Sequence, residues 1–236
     1  MNHPFDERLE DIKRFYAILE SIEKRVGGKR TLANCDGRMP WPKRGVYFFF
    51  EPGETRTTSG DGLRVVRVGT HALIEGSETK LWKRLRQHKG LGNGGGNHRG
   101  SVFRHHVGSA LIVRDGWNGP EAQDWNTMSY SKSIRENELP LERAVSQQIR
   151  GMLFLWITLN DSPGPNSLRG LIERNSIALL SNYNSENQPI DPASESWLGK
   201  WATSVKIKHS HLWNVDHIAE VYNRDFLHLL QFYGSR

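Results

Sequence analysis

Gly45-Val46-Tyr47-Phe48-Phe49-Phe50-Glu51 and Leu63-Arg64-Val65-Val66-Arg67-Val68-Gly69 are the two stretches whose reading decides the fold. The first is apolar and aromatic almost throughout, the pattern of a strand buried on both faces. The second is rich in β-branched residues, and a polar connection over residues 52–62 joins the two, so the pair reads as an antiparallel hairpin. Residues 152–159 supply a third apolar strand. By itself Tyr47 would pass for an ordinary core tyrosine.

Outward from this hairpin the chain alternates with helices. Phe5, Leu9, Ile12, Phe15, Tyr16, Leu19, Ile22 and Val26 recur at helical spacing, with Pro4 suited to a first turn and Gly27-Gly28 to a stop. Residues 30–44, with Pro40 and Pro42, read as an irregular lead-in. Helices are expected over residues 77–89, 101–113, 139–148, 167–180 and 224–233, and Asn166 is a natural N-cap for the fourth of these. Six glycines fall between Gly90 and Gly100. No strand precedes them and no Lys-Ser/Thr follows, so they read as a mobile loop and not as a phosphate-cradling turn. Residues 115–133 read as a loop carrying Trp117, Trp125 and Tyr130, suited either to base contact or to small satellite cores.

Composition narrows the class of function. The formal charge of +6 over 236 residues favours a polyanionic partner. The single cysteine, Cys35, excludes a disulfide framework and any multi-cysteine zinc site, which points to a reducing compartment. No run of apolar residues is long enough for a membrane span, and charge from Asp6 onward argues against a signal peptide. A cytoplasmic protein with no membrane partner is expected.

Arg84 and His88 stand four residues apart, so both project from one helix face. Arginine holds a phosphate through a forked contact that lysine cannot make, and histidine titrates near neutrality. Glu173 offers one carboxylate for a hydrated cation. Competing patterns are weaker. Asp61 with Glu78-Thr79-Lys80 mimics a carboxylate–lysine site but lies on an expected helix start. Asp216-His217-Ile218 begins like a histidine-asparagine-histidine motif whose later members, Asn223 and His228, come too soon. His98, His105 and His106 lack clear carboxylate or cysteine companions for zinc.

Taken in order, Gly45-Val46-Tyr47, Val66-Arg67-Val68-Gly69, Arg84, His88, Glu173 and Asn184 resemble the GIY-YIG nuclease superfamily, most nearly its restriction-enzyme members. The resemblance implies an α/β (α+β) fold with a small three-stranded antiparallel sheet flanked by helices. The core would span residues 44–185 with a long insertion around 115–148. N-terminal (1–43) and C-terminal Trp/His-rich (186–236) helical extensions would flank it. It further implies Tyr47 as the base or base partner, Arg84 as phosphate clamp, His88 as a water-positioning group, Glu173 as ligand to Mg²⁺ (or Mn²⁺), and Asn184 as support.

Arg67 stands where the pattern has its second tyrosine, and His71 is positioned to compensate. Arg67, Lys80, Arg99, Arg104 and His105 are candidate contacts to double-stranded DNA. The expected function is a metal-dependent DNA endonuclease in restriction or defence, and cutting both strands would need a homodimer or sequential nicking. One alternative is a non-catalytic nucleic-acid-binding module that kept the fold. Another is an interaction protein using its Trp-rich tail.

Overall fold

The computed structural model describes residues 4–128, 130–185 and 188–235, so the boundary drawn at residue 186 lies outside the described residues. Helix α1 (Phe5–Val26) is followed by strands β1 (Arg30–Thr31), β2 (Gly45–Thr55) and β3 (Leu63–Gly69). Helices α2 (Leu81–Lys89), α3 (Val102–Asp115), α4 (Pro120–Gln123) and α5 (Lys132–Gly151) come next. Strand β4 (Leu153–Thr158) then precedes α6 (Leu168–Leu180), α7 (Val205–Ser210) and α8 (Phe226–Gly234).

The sheet has the order β1-β4-β2-β3, with every neighbour antiparallel. The three long strands are those read from sequence. β1 adds a two-residue fourth, pairing Arg30 with Phe154 and Thr31 with Leu153. Central β2 carries the register, with Tyr47 opposite Gly69 on one side and Trp156 on the other.

Two cores lie on the two sheet faces. Val46, Phe48, Val68, Leu155 and Ile157 pack with α1, α6 and α8, while Tyr47, Phe49 and Phe154 pack with α2, α3 and α5. This double burial explains why β2 has no polar alternation. Each fully buried phenylalanine contributes roughly 1.5–3 kcal/mol of transfer free energy.

The outer edge of β3 is not left open. The Trp213 N–H donates to the Val66 carbonyl at 2.7 Å, and the Asn214 side chain both accepts from Val68 N–H and donates to its carbonyl. The C-terminal chain therefore seals the edge that would otherwise template another strand.

Several boundaries move. α1 ends as expected, on Gly27 at φ 79°. α2 starts at Leu81, because residue 80 is extended and the Leu81 N–H is already bonded to the Lys43 carbonyl. α6 is capped by Ser167, whose hydroxyl accepts from Gly170 N–H, and not by Asn166. α5 begins well before residue 139 and runs through Pro140, anchored by the Ser131 cap at its start. The glycine-rich loop is packed, not free: a Cβ at Gly96 would overlap the Arg104 guanidinium, and one at Gly90 would meet the Ser146 hydroxyl. Its glycines make room for a buried arginine.

Candidate active site

The two motif glycines are dictated by packing. A Cβ on Gly45 would run into the Ile157 carbonyl oxygen of β4, and one on Gly69 would overlap the ring and hydroxyl of Tyr47. Tyr47 thus lies across the neighbouring strand at the one position that has no side chain. Its hydroxyl reaches Nε2 of His88 at 2.9 Å, and His88 Nδ1 lies 2.9 Å from Ser101 Oγ.

Ser101 caps α3, accepting the Arg104 N–H at 3.3 Å. The serine hydroxyl can donate to an Nδ1 lone pair or accept from an Nδ1–H; the first arrangement leaves the proton of the neutral imidazole on Nε2, facing the Tyr47 oxygen. His88 is neutral at pH 7, because burial and then the charges of Arg84, Arg67 and Arg104 hold its pKa well below the usual range.

Three further groups surround this pair. Arg67, on the same face of β3 as Gly69, stacks its guanidinium 4.7 Å from the Phe103 ring centre and donates from Nη1 to the Trp213 carbonyl at 2.8 Å. Burial lowers its pKa, with Tyr47 opposing and Arg84 reinforcing. Arg84, half-buried on α2, donates to Gln87 Oε1 at 3.2 Å, and its Nε has no partner. Glu173, half-buried on α6, accepts the Thr70 N–H on Oε1 at 2.9 Å. Burial raises its pKa, and Arg67 and the Thr70 N–H pull it back.

His71 lies at the margin, with Nε2 3.4 Å from the Lys43 carbonyl and Nδ1 unpartnered. Burial lowers its pKa to about 4, so it is neutral at pH 7.

Tyr47, Arg67, Arg84, His88 and Glu173 are therefore brought together, from elements far apart in the chain. The expectation for His88 is that it positions water. The side chain is fully buried and its two ring nitrogens face Tyr47 and Ser101, so neither nitrogen meets water in this structure. Tyr47 is fully buried as well. Asn184 does not join the cluster: it is exposed and donates to the Ala219 carbonyl. Asn182 is buried, but it serves Arg8 and the backbone of Ile190.

The basic residues divide. Lys80 is exposed just ahead of α2 and remains free to meet a phosphate backbone. Arg99 is spent on Glu138 through two 2.7 Å bonds and on two backbone carbonyls. Arg104 has no exposed surface; it bonds Glu142, Ser146 and the His88 carbonyl at 2.9 Å. Arg104 holds α3 to α5 and to the end of α2, and Arg99 ties the turn before α3 to α5, so both guanidinium groups are engaged inside the protein. His105 is half-buried, its ring near His98 and its carbonyl taken by Trp125. Trp125 itself is fully buried and stacked on His98, so it belongs to the core.

Ser101 and Thr70 were missed as site residues. Ser101 carried a legible signal as a serine directly before a helix, but nothing in one sequence ties a cap to His88.

Among the described residues, no group of three or more His, Cys, Asp or Glu is placed to hold a metal ion. Glu173 has Oε2 without a protein hydrogen bond among those residues, and a single carboxylate suits a divalent cation that keeps most of its waters. No helix among the described residues is long and apolar enough to cross a membrane.

A family model for the GIY-YIG domain matches residues 6–235. Comparison with curated proteins and with solved structures returned no match. The match takes in nearly the whole chain, α1 and α8 included, and this protein belongs to the GIY-YIG family, a family of nucleases.

Proposed function

We propose that this chain is a metal-dependent DNA endonuclease that hydrolyses phosphodiester bonds, in restriction or another defence role. The observation that carries the reading is the Tyr47–His88–Ser101 relay set between two guanidinium groups and one carboxylate. Arg84 binds the scissile phosphate through its fork. A phenol takes a proton from water only as phenolate. The groups suited to holding that charge are the His88 Nε2–H and the Arg67 guanidinium. Glu173 would hold a hydrated Mg²⁺ or Mn²⁺ through Oε2, which supplies Lewis-acid stabilisation of charge on the phosphoryl oxygens. Because Tyr47 has no exposed surface, its oxygen meets water only after a local opening.

That same burial, together with Arg67 at the second tyrosine's position, favours one other reading: a binding module that kept the fold and lost turnover. Purified protein incubated with plasmid and linear DNA, in Mg²⁺ or in EDTA, separates the two. Metal-dependent cutting that Glu173→Ala abolishes, with binding retained, supports the nuclease. Tight, salt-sensitive binding with no cutting of either substrate supports the module.

A further inference from the structure

Most buried arginines of this protein have their charge answered inside it. Arg64 pairs with Glu54 at 2.6 Å, Arg99 with Glu138 at 2.7 Å, Arg104 with Glu142, and Arg169 with Asp161. Arg8 has no carboxylate but spends its fork on two carbonyls and the Asn182 side chain. Arg44 has two carbonyls.

Arg67 and Arg84 differ. Arg67 donates to the Trp213 carbonyl and also lies within hydrogen-bonding reach of the Tyr47 side chain, while Arg84 donates to Gln87 Oε1. In both, as in Arg44 and Arg56, Nε is buried without a partner. Neither forms an ion pair with Glu173 within 4 Å, although Glu173 is close enough to feel both charges. A guanidinium held out of water without a carboxylate partner is unfavourable unless an anion arrives to meet it, and this weighs most on Arg67, since Arg84 is half-buried.

The local charge count sharpens this. His88, His71 and His106 are all depressed by burial and neighbouring positive charge, and are neutral at pH 7. The guanidinium groups of Arg67 and Arg84 then supply the positive charge beside Tyr47. A phosphodiester brings one negative charge.

We propose that Arg67 and Arg84 form a two-guanidinium clamp on a single backbone phosphate, so that the position of the second tyrosine is used here for charge and forked hydrogen bonding. The register places Arg67 for this. It pairs with Phe49 on the sheet face that carries Tyr47, under α2, the helix that carries Arg84. The clamp rests on the nucleic-acid reading above, and extends it by naming a second phosphate-binding residue.

The test is binding of a labelled DNA duplex in EDTA across a salt series, with folding of each variant checked by circular dichroism. Arg67→Gln and Arg84→Gln should each weaken binding about tenfold and lower the slope of log K against log salt by about one. Arg67→Lys keeps the charge but loses the fork, so its slope should match the parent's while its affinity falls. A folded Arg67→Gln with the parent's affinity and slope would overturn the clamp. If Arg67→Gln does not fold, Arg67→Lys with the parent's affinity would overturn it instead. The assay needs no turnover. A parent protein that binds this way and never cuts would sink the endonuclease and leave the clamp, whereas one that cuts normally with Arg67→Gln unaffected in binding would do the reverse.

Discussion

The Tyr47 hydroxyl and His88 Nε2 lie 2.9 Å apart with neither side chain exposed, and Ser101 holds the far side of the imidazole at the same distance. The residue that caps α3 is thus also the one that faces His88 Nδ1. Ser101→Ala should free the imidazole to take either tautomer and slow cleavage about tenfold or more, since the donor to Tyr47 is no longer fixed. It should cost only ~1 kcal/mol of stability as a lost cap. Ser101→Thr should restore the rate. Single-turnover cleavage measured beside thermal unfolding separates the two effects; a rate unchanged in Ser101→Ala would contradict the relay.

Gly69 is fixed by the ring that crosses it. Gly69→Ala should destabilise the protein by ~1–3 kcal/mol or more through overpacking. In the double variant with Tyr47→Ala, most of that cost should vanish, so the double variant should be destabilised by less than the sum of the two single variants. Urea unfolding of the four proteins in the cycle measures it. Strict additivity would show that the glycine answers to something else.

How far the sequence carried the reading can be seen at these same residues. Tyr47, Gly69, Arg84, His88 and Glu173 were legible because motif order and helical spacing survive in a linear chain. The three long strands were legible because unbroken apolar runs mark doubly buried sheet. β1 was not, since two residues carry no period. The early start of α5 was hidden by Pro140, which breaks most helices. Arg99 and Arg104, expected at DNA, are engaged inside the protein. Glu138 and Glu142, their partners, lie about 40 residues downstream, and charge pairing at that range leaves no local trace.

Arg104 supports α2 and α3 from inside. Arg104→Gln leaves Glu142 without its principal partner in a buried site, which should cost ~3–5 kcal/mol. DNA affinity of the remaining folded fraction should stay close to the parent's. Chemical denaturation and a binding isotherm check both halves, and a selective loss of affinity with stability intact would return Arg104 to the DNA surface.

Acid stability should depend on His211. Burial, then Arg64 and Lys200, lower its pKa from 6.5 to about 4, and its Nδ1 accepts from Asn182 Nδ2 at 3.2 Å. The unfolded chain therefore binds a proton that the native protein refuses. Stability is full above pH 6.5, falls as pH drops toward 4, and levels off below. The slope is at most ~1.4 kcal/mol per pH unit, and less because the ring is only half-buried. His211→Asn accepts the same hydrogen bond and suits the left-handed backbone at φ 59°. Its Tm should fall less than the parent's between pH 6.5 and 4. Parallel curves would contradict the assignment.

Tyr47→Phe removes one oxygen and leaves the ring, the sheet and the charged groups in place. Single-turnover cleavage of a labelled duplex in Mg²⁺, paired with binding in EDTA, is the most direct measurement. Cleavage should fall by about a hundredfold or more, the scale of a lost general base, with affinity unchanged. Cleavage at the parent's rate would contradict it, because the water would then be activated without the residue on which the whole site converges.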